Sequence, residues 1–382
     1  MQCFKSNVQS DWRNILSIIS ILLLPAISLF GCRKDDPIIF RPPPPSEDST
    51  FVLREPFWSV DDKKIFGLRG NFKTDGDDLY EVDSAGGRAR LVLRDSLSKT
   101  KPILSPDGLK IAYLAAETGR LLCCAHVWLI NVDGTNAHDV TPFGGNWDEI
   151  RWSPDSRTII FSGGVEDSGE VHDQIVTVDS RTGEVKLLTR GKFSSFDASF
   201  TADGNRITFE SGRIITDYGG KVFVMDADGR NPIPVDTSKT ASQDPLPSPA
   251  RNEMIFQWGL GGESDAGEFL INLDSVSIPA QKSSFLFIPQ GGGNPWTKWS
   301  PDGNLLLFPN GVGTLEKSLN LADRYGRNFR RLTNNINVSY YDWSKDSKRI
   351  VFSGTDLQSN VFDIFIYYLE HNTMRRLKIT KP

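Results

Sequence analysis

From Phe51 onward the chain is a succession of short apolar runs separated by polar turns. One class of run is apolar at consecutive positions, as in LKIAYL, RTIIFS, NRITFE, EMIFQ, NLLLF and KRIVFS. Consecutive apolar residues predict β-strands that are covered on both faces, as in a sheet that lies between two other sheets. A second class places Asp-Gly or Thr-Gly between two β-rich runs, which is typical of a hairpin. The pattern therefore predicts an all-β protein.

A turn motif of the form aromatic-Ser-Pro-Asp precedes each strand of the first class. Proline presets φ at the second position of a type I turn, and aspartate suits the third. The seven copies start at Trp58, Leu104, Trp152, Phe200, Pro247, Trp299 and Trp343, and their fourth positions are 46, 48, 48, 47, 52 and 44 residues apart. Four strands in about 47 residues, repeated seven times, predict a seven-bladed β-propeller of four-stranded antiparallel blades over residues 51–382.

This WD40-like repeat, with WSPDG before a strand and DADG in a later hairpin, resembles the propeller repeats of the TolB family along nearly all of residues 51–382. TolB itself is known as a six-bladed propeller behind a separate α/β domain, so the resemblance implies the fold and not a role in the Tol–Pal system. Turn chemistry alone accounts for the repeated aspartates. We therefore expect structural roles for Asp107, Asp155, Asp203, Asp302 and Asp346.

Seven positions, each three residues before the repeat's aromatic position, are predicted to form a ring at the channel mouth. They are Glu55, Lys101, Glu149, Asp197, Asp244, Trp296 and Tyr340. One interpretation is a partly acidic socket for a basic peptide segment, or for a sugar that stacks on the two aromatic residues. The other is structural, since acids near strand ends also serve solvation or a hydrogen bond to the next blade. We take the seven positions as the candidate partner-binding rim.

Catalytic motifs are sparse in the chain. It has neither a Gly-x-Ser-x-Gly elbow nor a phosphate-binding glycine loop, and its four histidines lack the paired spacing of a metal site. We therefore predict a non-catalytic binding or scaffolding propeller with no cofactor, no metal site and no catalytic residues. The alternative is a polysaccharide lyase similar to oligogalacturonate lyase. That resemblance implies histidine-bound metal in the channel, to which His126 and His172 would contribute.

The first 50 residues have a different character. Residues 1–31 are predicted to be a signal peptide, because sixteen uncharged residues from Ile15 to Phe30 follow a charged start. The sequence LFGC resembles a bacterial lipobox, which implies cleavage before Cys32 and a lipid on that cysteine. An uncleaved membrane anchor is the alternative. Residues 32–50, rich in proline, are predicted to be a flexible tether.

The charges just after Cys32 bear on localisation. CRKDD resembles the signal that exports lipoproteins to the outer surface of some gram-negative bacteria, and a solvated charge cluster is the alternative. We expect an outer-membrane lipoprotein, surface-exposed or otherwise facing the periplasm. The adjacent Cys123 and Cys124 are unsuited to a disulfide with each other. Free cysteine is most often a small buried apolar residue, so we expect no redox or metal role for them.

Composition narrows the range of partners. Hydrophobic residues make up 38% of the 382 residues and the net charge is −5, so the chain can bury a large core and has no general affinity for phosphate backbones. We expect a monomer that binds an envelope protein or peptide, or a glycan. The membrane is contacted through the N-terminal lipid, and nucleic acid is not an expected partner.

Overall fold

A computed structural model describes residues 51–71, 76–117, 125–141, 149–167, 170–216, 219–235, 242–258, 267–273, 284–287, 297–310 and 317–382. The predicted signal peptide, the tether with Cys32, the pair Cys123 and Cys124, and the ring residue Trp296 lie outside these ranges. Within them the chain forms thirty β-strands. None of the described residues belongs to a helix long and apolar enough to cross a bilayer.

The strands form seven antiparallel four-stranded sheets, six of them from four consecutive strands and the first from β1, β2, β3 and β5, which confirms the predicted seven-bladed propeller. Blades 1 to 4 contain β1 (Arg54–Trp58), β2 (Lys64–Asn71), β3 (Gly76–Asp83), β4 (Gly87–Arg88, in the outer hairpin of blade 1), β5 (Arg90–Leu93), β6 (Leu97–Leu104), β7 (Lys110–Glu117), β8 (His126–Asn131), β9 (His138–Asp139), β10 (Arg151–Trp152), β11 (Thr158–Asp167), β12 (Glu170–Asp179), β13 (Val185–Leu187), β14 (Ser195–Phe200), β15 (Arg206–Thr216), β16 (Gly219–Asp226) and β17 (Ile233–Pro234). Blades 5 to 7 contain β18 (Ser242–Pro247), β19 (Glu253–Trp258), β20 (Gly267–Asn272), β21 (Ser284–Phe287), β22 (Lys298–Trp299), β23 (Leu305–Asn310), β24 (Ser318–Asp323), β25 (Arg330–Arg331), β26 (Ile336–Trp343), β27 (Arg349–Asp356), β28 (Val361–Tyr368) and β29 (Thr373–Arg376), and β30 (Ile379–Thr380) follows them.

The turn between the first two strands of a blade is held by its own side chains, as the repeat predicts. In blade 2 the Ser105 hydroxyl donates to the Asp107 carboxylate at 2.6 Å, and the same carboxylate accepts from the Leu109 amide at 3.0 Å. Blades 3, 4, 6 and 7 repeat this arrangement at Asp155, Asp203, Asp302 and Asp346. The structural role expected for the five aspartates is confirmed.

Neighbouring blades are joined by apolar packing and by one recurring hydrogen bond. The second strand of each blade is buried on both faces, and the core clusters combine residues of adjacent blades. The indoles of Trp152, Trp299 and Trp343 each donate to a backbone carbonyl in the preceding blade, at 3.3, 3.1 and 3.4 Å. The aromatic side chain of the repeat thus packs within its own blade and holds that blade at a set distance from the preceding blade.

Blades 7 and 1 close the ring while each blade keeps its own four strands. Asp62 accepts the backbone amides of Lys345 and Asp346 at 2.7 and 3.0 Å, and the Arg349 guanidinium stacks on Trp58. The C-terminal β30 also crosses this contact, since it pairs in parallel with β4 in the outer hairpin of blade 1. Among the described residues the Trp58 indole nitrogen is buried without a hydrogen-bond partner, so this contact lacks the bond that Trp152, Trp299 and Trp343 make.

The hairpins β11–β12 and β15–β16 contain the longest strands among the described residues. Strands β11, β12 and β15 have ten, ten and eleven residues, whereas β2, β3, β27 and β28 have eight. The two or three additional residues extend these hairpins by roughly 7 to 10 Å, at about 3.3 Å per residue, on the face where the innermost strands begin. The hairpins of blades 3 and 4 therefore project beyond those of blades 1 and 7 beside the channel mouth.

Candidate functional site at the channel mouth

The predicted ring coincides with a β-bulge in the innermost strands. In blades 1, 2, 4 and 5 two residues of the inner strand oppose one residue of the second strand, with register shifts at Arg54/Phe57, Thr100/Ile103, Phe196/Ser199 and Gln243/Leu246. The first bulged residue is in each case a ring residue with left-handed backbone: Glu55 (φ 51°), Lys101 (φ 52°), Asp197 (φ 54°) and Asp244 (φ 51°). Residues other than glycine adopt this conformation at a cost of about 1 kcal/mol, so four charged residues share one strained position.

One ring residue has a structural role. The Glu55 carboxylate is buried and accepts from the Thr100 hydroxyl at 2.9 Å and from the Lys101 amide at 2.6 Å. It thereby satisfies the backbone of the bulge in blade 2. The structural interpretation, a hydrogen bond to the next blade, is the one that the contacts of Glu55 match. Tyr340, which is exposed, contacts Glu55 from blade 7.

Three carboxyl groups converge on the opposite side of the ring. Asp197 and Asp244 of the ring and Glu210 of β15 have carboxylate oxygens within 4.8 Å of one another, and we name them the carboxyl cluster. Burial, together with the charges of Asp197 and Asp244, raises the pKa of Glu210 to about 9. Burial, together with Asp197 and Glu149, raises the pKa of Asp244 to about 7. At neutral pH the cluster therefore keeps protons that isolated carboxyl groups would have lost.

Glu149 lies close to both the carboxyl cluster and Lys101. Its side chain is half exposed, and its carboxylate pairs with Arg151 at 2.5 Å. Partial burial raises the pKa of Glu149, but the charges of Arg151, Lys101 and Lys298 outweigh this effect and the pKa falls below its ordinary value. Glu149 is therefore ionised at neutral pH, and it extends the negative surface from blades 4 and 5 into blade 3.

The structure thus brings together six of the seven predicted positions, in two groups. Glu149, Asp197 and Asp244 make the acidic side, while Glu55, Lys101 and Tyr340 belong to the side formed by blades 7, 1 and 2. Sequence reasoning missed Glu210, Arg151 and Lys298. Glu210 was detectable, because NRITFE is the one run among the six second-strand runs that ends in an acid.

The histidines do not assemble in the channel mouth. His126 pairs with Asp139 at 2.5 Å in the outer half of blade 2, and His172 contacts Glu170 at 3.1 Å near the tip of the β11–β12 hairpin. In the described part of the chain the carboxyl cluster is the group of potential metal ligands that lie close enough to share an ion, and it contains no histidine. The histidine site implied by the resemblance to oligogalacturonate lyase is not formed by these residues. Three carboxylates would instead suit a hard divalent cation.

The family model of the TolB beta propeller domain matches residues 63–346. The chain belongs to this family. Among curated proteins, the human acylamino-acid-releasing enzyme is 31% identical over 130 residues, which are 30% of this chain and only 17% of that enzyme. This TolB-type propeller therefore spans a small part of the curated relative.

Two solved structures illustrate the range of proteins that share the fold. TolB from Acinetobacter baumannii has a TM-score of 0.50 at 19% identity and covers 72% of this chain and 64% of its own. Oligogalacturonate lyase in complex with manganese has a TM-score of 0.58 at 14% identity and covers 82% of this chain and 85% of its own. At these identities the likeness concerns the fold alone. The function of this TolB-type propeller has to be inferred from its own side chains.

Proposed function

We propose that the protein is a non-catalytic binding propeller of the bacterial envelope, whose acidic channel mouth holds a basic segment of a protein or peptide partner. The observation that carries the proposal is the carboxyl cluster beside Glu149. Three carboxyl groups within 4.8 Å repel one another, and two of them have raised pKa values. A lysine or arginine side chain placed among them would relieve that repulsion and gain charge-assisted hydrogen bonds.

The surroundings of the cluster fit an inserted segment. The extended hairpins of blades 3 and 4 rise on the side where Glu149 and Asp197 lie, so a bound chain would be flanked by protein. The strained bulges hold Asp197 and Asp244 in place, since a left-handed residue within a paired strand has little freedom. Such preorganisation reduces the ordering cost of binding.

The direct test is charge reversal at the mouth. We expect Glu149→Lys to weaken binding of a tetralysine peptide at least tenfold by calorimetry, because repulsion replaces attraction. Glu184→Lys is the matched control, since it makes the same change at an exposed position in the outer hairpin of the same blade. Equal affinities of the wild-type protein and the Glu149→Lys variant would contradict the proposal.

A pull-down identifies the natural partner. Envelope lysate is crosslinked to the wild-type propeller and to the Glu149→Lys and Asp197→Lys variants, and proteins captured only by the wild type are candidates. A captured set that does not differ between the wild type and the two variants would count against a role of the mouth in recognition.

The envelope part of the proposal rests on the N-terminal sequence. Cys32 would carry the lipid and residues 32–50 would connect it to blade 1. Labelling cells with a clickable palmitate should mark the wild-type protein and not a Cys32→Ser variant. Protease treatment of intact cells then shows whether the propeller faces outward or the periplasm.

The second candidate is a metal-dependent polysaccharide lyase, favoured by the carboxyl cluster as a possible cation site and by the shared fold. It predicts that Mn²⁺ or Ca²⁺ raises the thermal midpoint and that unsaturated products absorbing near 235 nm accumulate from oligogalacturonate. The binding proposal predicts no turnover with either ion.

A further inference from the structure

Positive charge is concentrated in the last part of the propeller. The whole chain has 43 Lys and Arg against 48 Asp and Glu, whereas residues 317–382 have twelve against six. Half of these cations lie in the outer hairpins and outermost strands of blades 6 and 7. This rim is distinct from the acidic channel mouth, because it lies at the outer edge and towards the face of the turn motifs.

Large apolar side chains are exposed among these cations. Phe329 is 57% exposed, Tyr325 is 43% exposed and Met374 is 41% exposed. Phe329 rests against the buried Phe308 at 6.0 Å between ring centroids, which holds its ring at the surface. The Tyr325 ring lies under the guanidinium of Arg324 at 4.1 Å and near that of Arg327 at 5.9 Å. The aromatic rings are therefore held in place close to guanidinium groups.

The two blades form one continuous strip. Arg330 of β25 donates to the Asn372 side chain at 3.3 Å, which connects the outermost strands of blades 6 and 7. Two of the cations form ion pairs, Arg324 with Glu253 and Arg376 with Asp363. The Arg327 amide donates to Asp323 at 2.9 Å, but the charged side chains of Arg327, Arg330 and Lys378 form no ion pair among the described residues. The strip keeps a net positive charge next to exposed rings.

We propose that this strip, centred on Tyr325, Arg327, Phe329 and Arg330, binds an anionic polysaccharide. Sugar rings present C–H faces that stack on exposed aromatic side chains, and guanidinium groups form two-pronged bonds with carboxylates or phosphates. An added peptide strand fits less well, because β25 has only two residues and offers little edge to pair with. The strip therefore offers an anionic polysaccharide both opposite charge and aromatic rings on which its sugars can stack. An acidic polypeptide would need the charge but not the rings.

The test uses alginate oligosaccharides as the anionic probe, with dextran as the uncharged sugar and poly-L-glutamate of equal charge as the acidic peptide. We expect binding of alginate at low salt, none of dextran, and binding of poly-L-glutamate that is at least about tenfold weaker. Arg327→Gln with Arg330→Gln, and separately Tyr325→Ala, should each weaken alginate binding about tenfold or more. Thermal midpoints of these variants should match the wild type, because the three side chains are at the surface.

Arg181→Gln is the matched control, since it removes a cation from the corresponding outer hairpin of blade 3. Poly-L-glutamate that binds as tightly as alginate would overturn the proposal in favour of an acidic protein partner. Binding of phosphatidylglycerol vesicles without binding of alginate would overturn it in favour of a lipid surface. Unchanged alginate affinity in both the arginine and the tyrosine variants would overturn it as well, and none of these results bears on the channel mouth.

Discussion

Replacing Glu210 by glutamine should make the propeller more stable at neutral pH and weaken its binding of a basic peptide. Glu210 is only 7% exposed and belongs to the carboxyl cluster, where burial and two neighbouring carboxylates raise its pKa from 4.5 to about 9. In the folded protein it is therefore protonated at pH 7, whereas in the unfolded chain it is ionised. Glutamine resembles the protonated form and does not depend on pH.

The magnitude follows from proton linkage. A carboxyl group with a raised folded-state pKa contributes fully to stability below pH 4.5, and this contribution is lost as pH rises towards 9. At about 1.4 kcal/mol per pH unit, the 2.5 units between 4.5 and 7 correspond to about 3 kcal/mol by which Glu210 lowers the free energy of unfolding. The Glu210→Gln variant should therefore exceed the wild type by about 3 kcal/mol at pH 7 and by less than 1 kcal/mol at pH 4.5.

The assay is urea unfolding of both proteins at several values between pH 4.5 and pH 8, followed by tryptophan fluorescence. Glu81→Gln is the control, because its effect on stability should have the opposite sign. Partial burial raises the pKa of Glu81, but hydrogen bonds and charge from Arg90 and Lys64 outweigh this effect and lower the pKa. Glu81 contributes stability above pH 4.5 that is lost as pH falls, so Glu81→Gln should be the less stable protein at pH 7. A stability difference for Glu210→Gln that stays constant between pH 4.5 and pH 8 would refute the assignment of a protonated, strained Glu210.

Two further outcomes follow from the same contacts. Affinity for the tetralysine peptide should rise between pH 6 and pH 8, because the pKa of Asp244 is about 7 and binding favours its ionised form. The rise is up to about tenfold per pH unit for each proton released. Calorimetry in buffers of different ionisation enthalpy counts the protons, and a flat pH profile would contradict ionisation of the cluster on binding. Asp62→Ala should lower the free energy of unfolding by about 2 kcal/mol, because Asp62 accepts two backbone amides across the contact that closes the ring. Ser156→Ala, which removes one bond of the same kind between blades 2 and 3, should cost about 1 kcal/mol, and equal losses would show that ring closure does not depend specially on Asp62.

The fold was predictable because the contacts that shape each blade are made within its own turn or with the neighbouring blade. The Ser and Asp of the turn are two residues apart and bind each other, and the tryptophan reaches only the neighbouring blade, as with Trp152 and the carbonyl of Ile103. The ring positions were predictable for the same reason, since they keep a constant spacing from the aromatic. Their conformation was not, although Pro56, Pro102 and Pro245 directly follow bulged residues and mark places where a backbone amide is not needed.

The carboxyl cluster was beyond sequence reasoning because it depends on how two adjacent blades face each other across their bulges. Glu210 pairs with Phe196 in the register in which Leu68 pairs with Arg54, Leu114 with Thr100 and Gln257 with Gln243. Two leucines and a glutamine at this position show that the repeat does not require an acid there. A glutamate at that position has a raised pKa and lies beside two other acids, so packing does not explain it. Its presence is explained if the negative charge becomes useful when a cationic group enters the mouth, which is the function proposed for this site.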